Sequence, residues 1–112
     1  GLLKEIEEKG GKAGIVECDL NDIESVRSLV QNASDTLGPV VGLVNNASYF
    51  SFDRIESITE EKWIEHMRVN ALAPLVMISE LSKIPEKGLW VVNILDFKVE
   101  SPALSKIKKT II

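Results

Sequence analysis

Apolar residues recur along this chain with two alternating periods. Leu2, Leu3 and Ile6 share one helical face, with Lys4, Glu5, Glu7, Glu8 and Lys9 on the remainder, and Gly10-Gly11 ends that helix. No capping residue precedes it, so the chain is expected to enter in mid-helix. Ala13 to Asp19 then reads as a strand, with Ile15 and Val16 buried and Glu17 at an edge or outward face. Asn21 or Asp22 can cap the next helix, and Glu24 stands three residues after Asn21, as in a capping box. Ile23, Val26, Val30, Ala33 and Leu37 come next at spacings of three and four, which predicts an amphipathic helix lying on a sheet and ended by Gly38-Pro39.

The centre of the pattern is the run Val40 to Val44, interrupted only by Gly42. A short continuous apolar run predicts a strand buried on both faces of a parallel sheet. Tyr49 to Ile58 has no period and predicts a loop. Thr59 is a good N-cap, with Glu60 and Glu61 in the first turn, where the helix dipole favours acids. Trp63, Met67, Ala71, Leu75 and Ile78 mark one face of a long helix reaching about Lys83, with Pro74 inside it. Pro85 to Gly88 is a turn, and Leu89 to Leu95 a second buried strand closed by Asp96. Strands alternating with helices predict an α/β fold with parallel strands and right-handed crossovers.

Composition narrows the classes. The 112 residues are 45% hydrophobic and 27% charged, which suits one soluble domain. A formal net charge of -4 argues against a nucleic-acid partner, since the one basic cluster, Lys106, Lys108 and Lys109, is short. Cys18 is the sole cysteine and reads as a small buried apolar residue. No apolar stretch approaches the roughly 20 residues that span a bilayer, and no signal-peptide pattern opens the chain, so a cytoplasmic location without membrane attachment is expected.

Three places carry candidate chemistry. The central strand ends in Asn45-Asn46-Ala47-Ser48, and in open α/β sheets ligands sit outside the carboxyl ends of the strands. Those side chains hydrogen-bond without bringing charge, although Asn and Ser also favour ordinary turns. Pro74 has no N–H for the carbonyl four residues back, that of Asn70, and the released carbonyl needs a partner such as an ordered water. Asp96 closes a strand inside an apolar crevice, where desolvation disfavours a charged carboxylate, or it is a solvated loop acid. Asp19, read bare, is a capping or turn carboxylate.

Leu43-Val44-Asn45-Asn46-Ala47-Ser48, with Trp63 and Val69-Asn70-Ala71 further along, resembles the short-chain dehydrogenase/reductase family, whose fourth strand ends in Asn-Asn-Ala-Gly. Ser48 in place of that Gly, Phe50 two positions on, and Asn93-Ile94-Leu95-Asp96 are most similar to its pteridine-reductase branch. The resemblance runs from Cys18 to Lys106 and implies a Rossmann-like domain over residues 1–112, partial because both ends of the family's domain are lacking, with helices on both faces of the sheet. It implies hydride transfer from a nicotinamide cofactor, NADP(H) ahead of NAD(H), to a pterin-like or carbonyl substrate, with no metal. In that scheme Asp19 and Leu20 hold the adenine ring, and Asn46, Ala47 and Ser48 line the cofactor channel. Phe50 stacks on the substrate or nicotinamide ring, or packs on the core as a loop aromatic. The Asn70 carbonyl carries a relay water, Asp96 assists protonation, and Lys106 binds the ribose and acts on a tyrosine. Family members also pair through the long helix, so a homodimer or homotetramer around Pro74 is implied.

The family pattern is broken near its end. Ala103-Leu104-Ser105-Lys106 is similar to the tail of the family's Tyr-x-x-x-Lys motif, yet Pro102 stands where the tyrosine belongs. Asp96 and Lys106 are also closer in sequence than the family requires, and the glycine-rich phosphate loop is not among the 112 residues. One expectation is that these are the ordered segments of a longer reductase whose tyrosine lies outside them; Ile107 to Ile112 would then begin a helix. The alternatives are a catalytically dead remnant or a non-catalytic interaction module that keeps the long helix as a dimer face. A flavodoxin-like or receiver-like domain ranks last, because no first strand with an acidic cluster is present.

Overall fold

The computed structural model describes residues 1–50, 54–96 and 109–111. Helix α1 (Leu2–Glu8) ends where Gly10 takes φ 81°, and the Gly11 N–H then returns to the Ile6 carbonyl at 3.0 Å. Only glycine enters that left-handed conformation without a Cβ penalty, which is why the helix stops there. Helix α2 (Ile23–Leu37) starts at Asp22, whose side chain accepts the N–H groups of Glu24 and Ser25. Of the two predicted caps, the structure uses Asp22.

Strand β1 (Gly42–Asn45) runs parallel to β2 (Trp90–Asp96), with Gly42 opposite Trp90 and Asn45 opposite Asn93. Parallel strands need a long crossover. Here it is a helical stretch made of α3 (Glu60–Met67), a π-helical turn (Arg68–Leu72) and α4 (Ala73–Ser82). The Thr59 hydroxyl caps α3 by accepting from the Lys62 N–H at 3.2 Å, as the sequence predicts. Helices α2 and α4 pack on each other, and Val26, Ala73 and Val76 form the core between them, with Cys18, Leu20, Ile23 and Met77 around it. Val26 is completely buried. Cys18 is half-buried and accepts a hydrogen bond from Ser25 Oγ at 3.4 Å, in keeping with its reading as a packing residue. The parallel β1–β2 pair with its helical crossover is the α/β, Rossmann-like arrangement expected from the sequence.

Two expectations are corrected. Ala13 to Asp19 forms no strand among the described residues, and Ile15 is 75% exposed. A strand exists only through its neighbour's hydrogen bonds, and no described strand pairs with this segment, however β-prone its side chains. The predicted helix at the chain's end is replaced by β3 (Lys109–Ile111), antiparallel to β2 with Ile94 opposite Ile111. That helix was expected from family position alone, whereas Thr110 and Ile111 are β-branched and suit the open edge of β2. The residues grouped on one face of the long helix do share a side, and that side is turned to the exterior. Ala73, Val76 and Leu81 are buried, while Trp63 (56% exposed), Met67 and Leu75 (62%) face outward.

Gly42 is the tightest point of the sheet. The Trp90 indole lies directly over its Cα, in the space a Cβ would take. Gly42→Ala is therefore expected to lower stability by about 1–3 kcal/mol through overpacking. The same substitution should cost clearly less in a Trp90→Ala background, read by urea denaturation as a double-mutant cycle; equal costs in both backgrounds would show that the indole is not the obstacle.

Candidate functional site

The carboxyl end of β1 is held by two asparagines that do different work. Asn45 Nδ2 donates to Asn93 Oδ1 at 2.8 Å, joining the two in-register residues at the point where the parallel pairing stops. Both amides are half-buried, so the bond replaces water that the packed strands exclude. Its signal in the sequence is an Asn that ends one apolar run (Asn45) and an Asn that interrupts the other (Asn93), which becomes meaningful only once the strands are known to be parallel and in register.

Asn70, in the π-helical turn, reaches back to the loop after β1. Its Oδ1 accepts the Tyr49 N–H at 2.7 Å and its Nδ2 donates to the Tyr49 carbonyl at 2.8 Å. One side-chain amide thus takes the place of a neighbouring strand for Tyr49. The loop is further fixed by the Tyr49 ring, whose centroid lies 4.7 Å from that of His66 at a 54° tilt. Sequence reasoning singled out Asn70 for its main-chain carbonyl and missed this role for its side chain. The helix around it is distorted, as Pro74 demands: the Ala73 N–H bonds to the Arg68 carbonyl, five residues back, and Pro74 has no N–H to return to Asn70.

These two anchors bracket Asn46, Ala47 and Ser48, which are all exposed at the end of β1. Phe50 comes after them and is exposed as well. The structure therefore brings Asn46, Ala47, Ser48 and Asn70 to one strand end, and the parallel register puts the end of β2, with Asp96, on the same side of the sheet. The Asp96 side chain and the whole of Lys106 lie outside the described residues, as does Pro102.

Asp19 and Leu20 lie on the turn ahead of α2. Leu20 packs against the Val26–Ala73–Val76 core. Asp19 Oδ1 accepts the Asn21 N–H at 2.9 Å and the Asp19 carbonyl accepts from the Asp22 N–H at 3.0 Å, so this acid closes a turn, leaving Oδ2 outside that bond. Beside the turn is a cavity of about 400 Å³ lined by Asn21, Glu60, Glu61, Ile64, Glu65 and Arg68. Asn21 Oδ1 is buried with no hydrogen-bond partner among the described residues. Such an acceptor costs about 1–3 kcal/mol when left unpaired. No group of three or more His, Cys, Asp or Glu that could hold a metal ion occurs among the described residues, and none of their helices is long and apolar enough to cross a membrane.

A family model described as short chain dehydrogenase matches residues 1–94. The chain is 33% identical over 93 residues to an oxidoreductase of Methylorubrum extorquens, a match covering 83% of this chain and 38% of that protein. Among solved structures it is similar to FolM alternative dihydrofolate reductase 1 from Brucella canis, complexed with NADP, at 35% identity and a TM-score of 0.79 over 88% of this chain and 40% of that one. It is also similar to a blue fluorescent protein from a metagenomic library in complex with NADPH, at 32% identity and a TM-score of 0.84, over 92% of this chain and 42% of that one. The chain thus spans about two fifths of the length of the relatives it matches.

The amide clamp makes a direct prediction. Asn70→Ala should lower stability by about 1–2 kcal/mol for the two lost bonds and speed hydrogen exchange at the Tyr49 amide. Unchanged exchange at Tyr49 would show that the clamp does not hold the loop in solution.

Proposed function

The chain belongs to the short-chain dehydrogenase family, and from that premise we propose that the complete protein is an NAD(P)H-dependent oxidoreductase acting on a pterin-like or carbonyl substrate. The observation that carries the reading is the uncharged Asn46-Ala47-Ser48 segment, exposed at the carboxyl end of a parallel strand and held by Asn45 on one side and Asn70 on the other. Ligands of open α/β sheets bind at such strand ends. NADP(H) is preferred to NAD(H), since the FolM relative is described as complexed with NADP and the blue fluorescent relative with NADPH. The FolM resemblance also favours a pterin-like substrate.

The residues fit such a cofactor in their chemistry. Asn46, Ala47 and Ser48 form a neutral wall suited to an uncharged ring system, and Asp19 keeps Oδ2 outside its turn bond to the Asn21 N–H. When bound, the cofactor supplies the hydride. Asp19 and Leu20 hold its adenine, Phe50 stacks on the acceptor ring, and Lys106 binds the ribose. The Asn70 carbonyl, denied an N–H by Pro74, holds a water that passes protons toward Lys106. Asp96 supplies the proton at the substrate, a role worth about 10²–10⁴ in rate for a positioned acid.

The outward stripe of Trp63, Met67 and Leu75 serves as the face on which two copies pair, and the protein works in the cytoplasm. A second reading rests on Pro102, which stands in the place of the family's tyrosine. Under it the chain is a non-catalytic interaction module that pairs through the same stripe.

The test is NADPH oxidation by the complete protein with a dihydropterin or quinonoid dihydropterin substrate. Oxidation is expected, with kcat lowered about 10²-fold by Asp96→Ala. No oxidation and no cofactor binding would leave the interaction module. Leu75→Glu is expected to shift sedimentation from dimer or tetramer toward monomer, because it buries a charge in the paired face; unchanged sedimentation would rule out pairing through that face.

A further inference from the structure

Tyr49 is the chain's one tyrosine and His66 its one histidine, and the chemistry proposed above uses neither. Their rings meet with centroids 4.7 Å apart at a 54° tilt, the spacing of an attractive ring pair. His66 stands in the last turn of α3, four residues before Asn70. Residues four apart lie on one helix face. That face therefore grips Tyr49 twice, its ring through His66 and its main chain through both ends of the Asn70 amide. The grip falls on Tyr49 alone of its neighbours: Tyr49 is half-buried, whereas Ser48 before it and Phe50 after it are exposed. Side chains alternate along an extended chain. With the Tyr49 ring drawn onto α3, its two neighbours stand out at the strand end.

From this geometry we infer that His66 is a positioning residue for the acceptor substrate: by holding the Tyr49 ring on α3, it fixes where Phe50 stands. The inference rests on the proposed stacking of Phe50 on the acceptor ring. In this role His66 touches neither cofactor nor substrate. Its effect falls on recognition of the flat acceptor, and hydride and proton transfer proceed without it.

The experiment uses the complete protein and four variants. His66→Gln and Tyr49→Leu each delete one ring, while His66→Phe and Tyr49→Phe keep two. The readouts are KM and kcat for a dihydropterin, the Kd of NADPH and hydrogen exchange at the Tyr49 amide, with thermal unfolding to check that each variant is folded. Both ring deletions should raise KM about two- to tenfold, the range of one ring pair, and leave kcat and the NADPH Kd within about twofold. They should also speed exchange at Tyr49. His66→Phe and Tyr49→Phe should keep the wild-type KM and exchange. Wild-type turnover with KM and exchange unmoved by either ring deletion overturns the inference and leaves the proposed function standing. A KM raised equally in His66→Phe also overturns it, since the ring contact would not be the cause. So does a kcat that collapses in Tyr49→Phe, which would place the phenol in the chemistry. A wild type that does not turn over a dihydropterin defeats the substrate assignment and this inference together.

Discussion

The in-register parallel pairing of β1 with β2 is the constraint on which the rest depends. With Gly42 against Trp90 and Asn45 against Asn93, both strands end on the same side of the sheet. A parallel pair cannot be joined by a tight turn, so the chain must cross over and return, and the helical stretch from Glu60 to Ser82 makes that return. The Trp90 indole occupies the space above Gly42, which ties the register to one glycine. A slip by one residue would put the indole against Leu43 or Val41 and part Asn45 from Asn93.

The crossover also shapes the strand end. Pro74 cannot complete the helical ladder, and the chain accommodates this with a π-helical turn from Arg68 to Leu72. Asn70 lies in that turn, close enough to β1 for its side-chain amide to bond both main-chain groups of Tyr49. The irregular helix and the ordered loop are therefore one feature: the distortion presents the amide, and the amide fixes the loop just past Asn46-Ala47-Ser48. Beyond the distortion Ala73 and Val76 face inward and meet Val26 on α2, while Trp63, Met67 and Leu75 face outward. Arg27 and Lys83 both approach Glu80, but at this exposure such pairs add little beside the apolar contact.

Much of this was legible in the sequence where the information is local. The caps at Asp22 and Thr59, the stop at Gly10, the apolar run into Asn45 and the disruption at Pro74 each arise from the chemistry of one or two residues and their neighbours. The illegible parts depend on partners distant in the chain. Ala13 to Asp19 has strand-like side chains but pairs with no described strand. The face of Trp63, Met67 and Leu75 was legible as a face, but its exposure depends on which side of the helix α2 covers. The Asn45–Asn93 bond spans 48 positions and exists only because the two strands are parallel and in register. Asn70 was singled out for its main-chain carbonyl, whereas its side-chain bonds to Tyr49 required the folded loop. The parts of the motif beyond Asp96 lie outside the described residues.

The central claim is that the strand end held by Asn45 and Asn70 faces a nicotinamide cofactor. The most direct measurement is an amide-resolved NMR titration of the complete protein with NADPH. Saturable shifts are expected at Asn46, Ala47 and Ser48 together with Asp19 and Leu20, two segments 26 or more positions apart in sequence. Saturable binding that leaves those amides unmoved would contradict the claim.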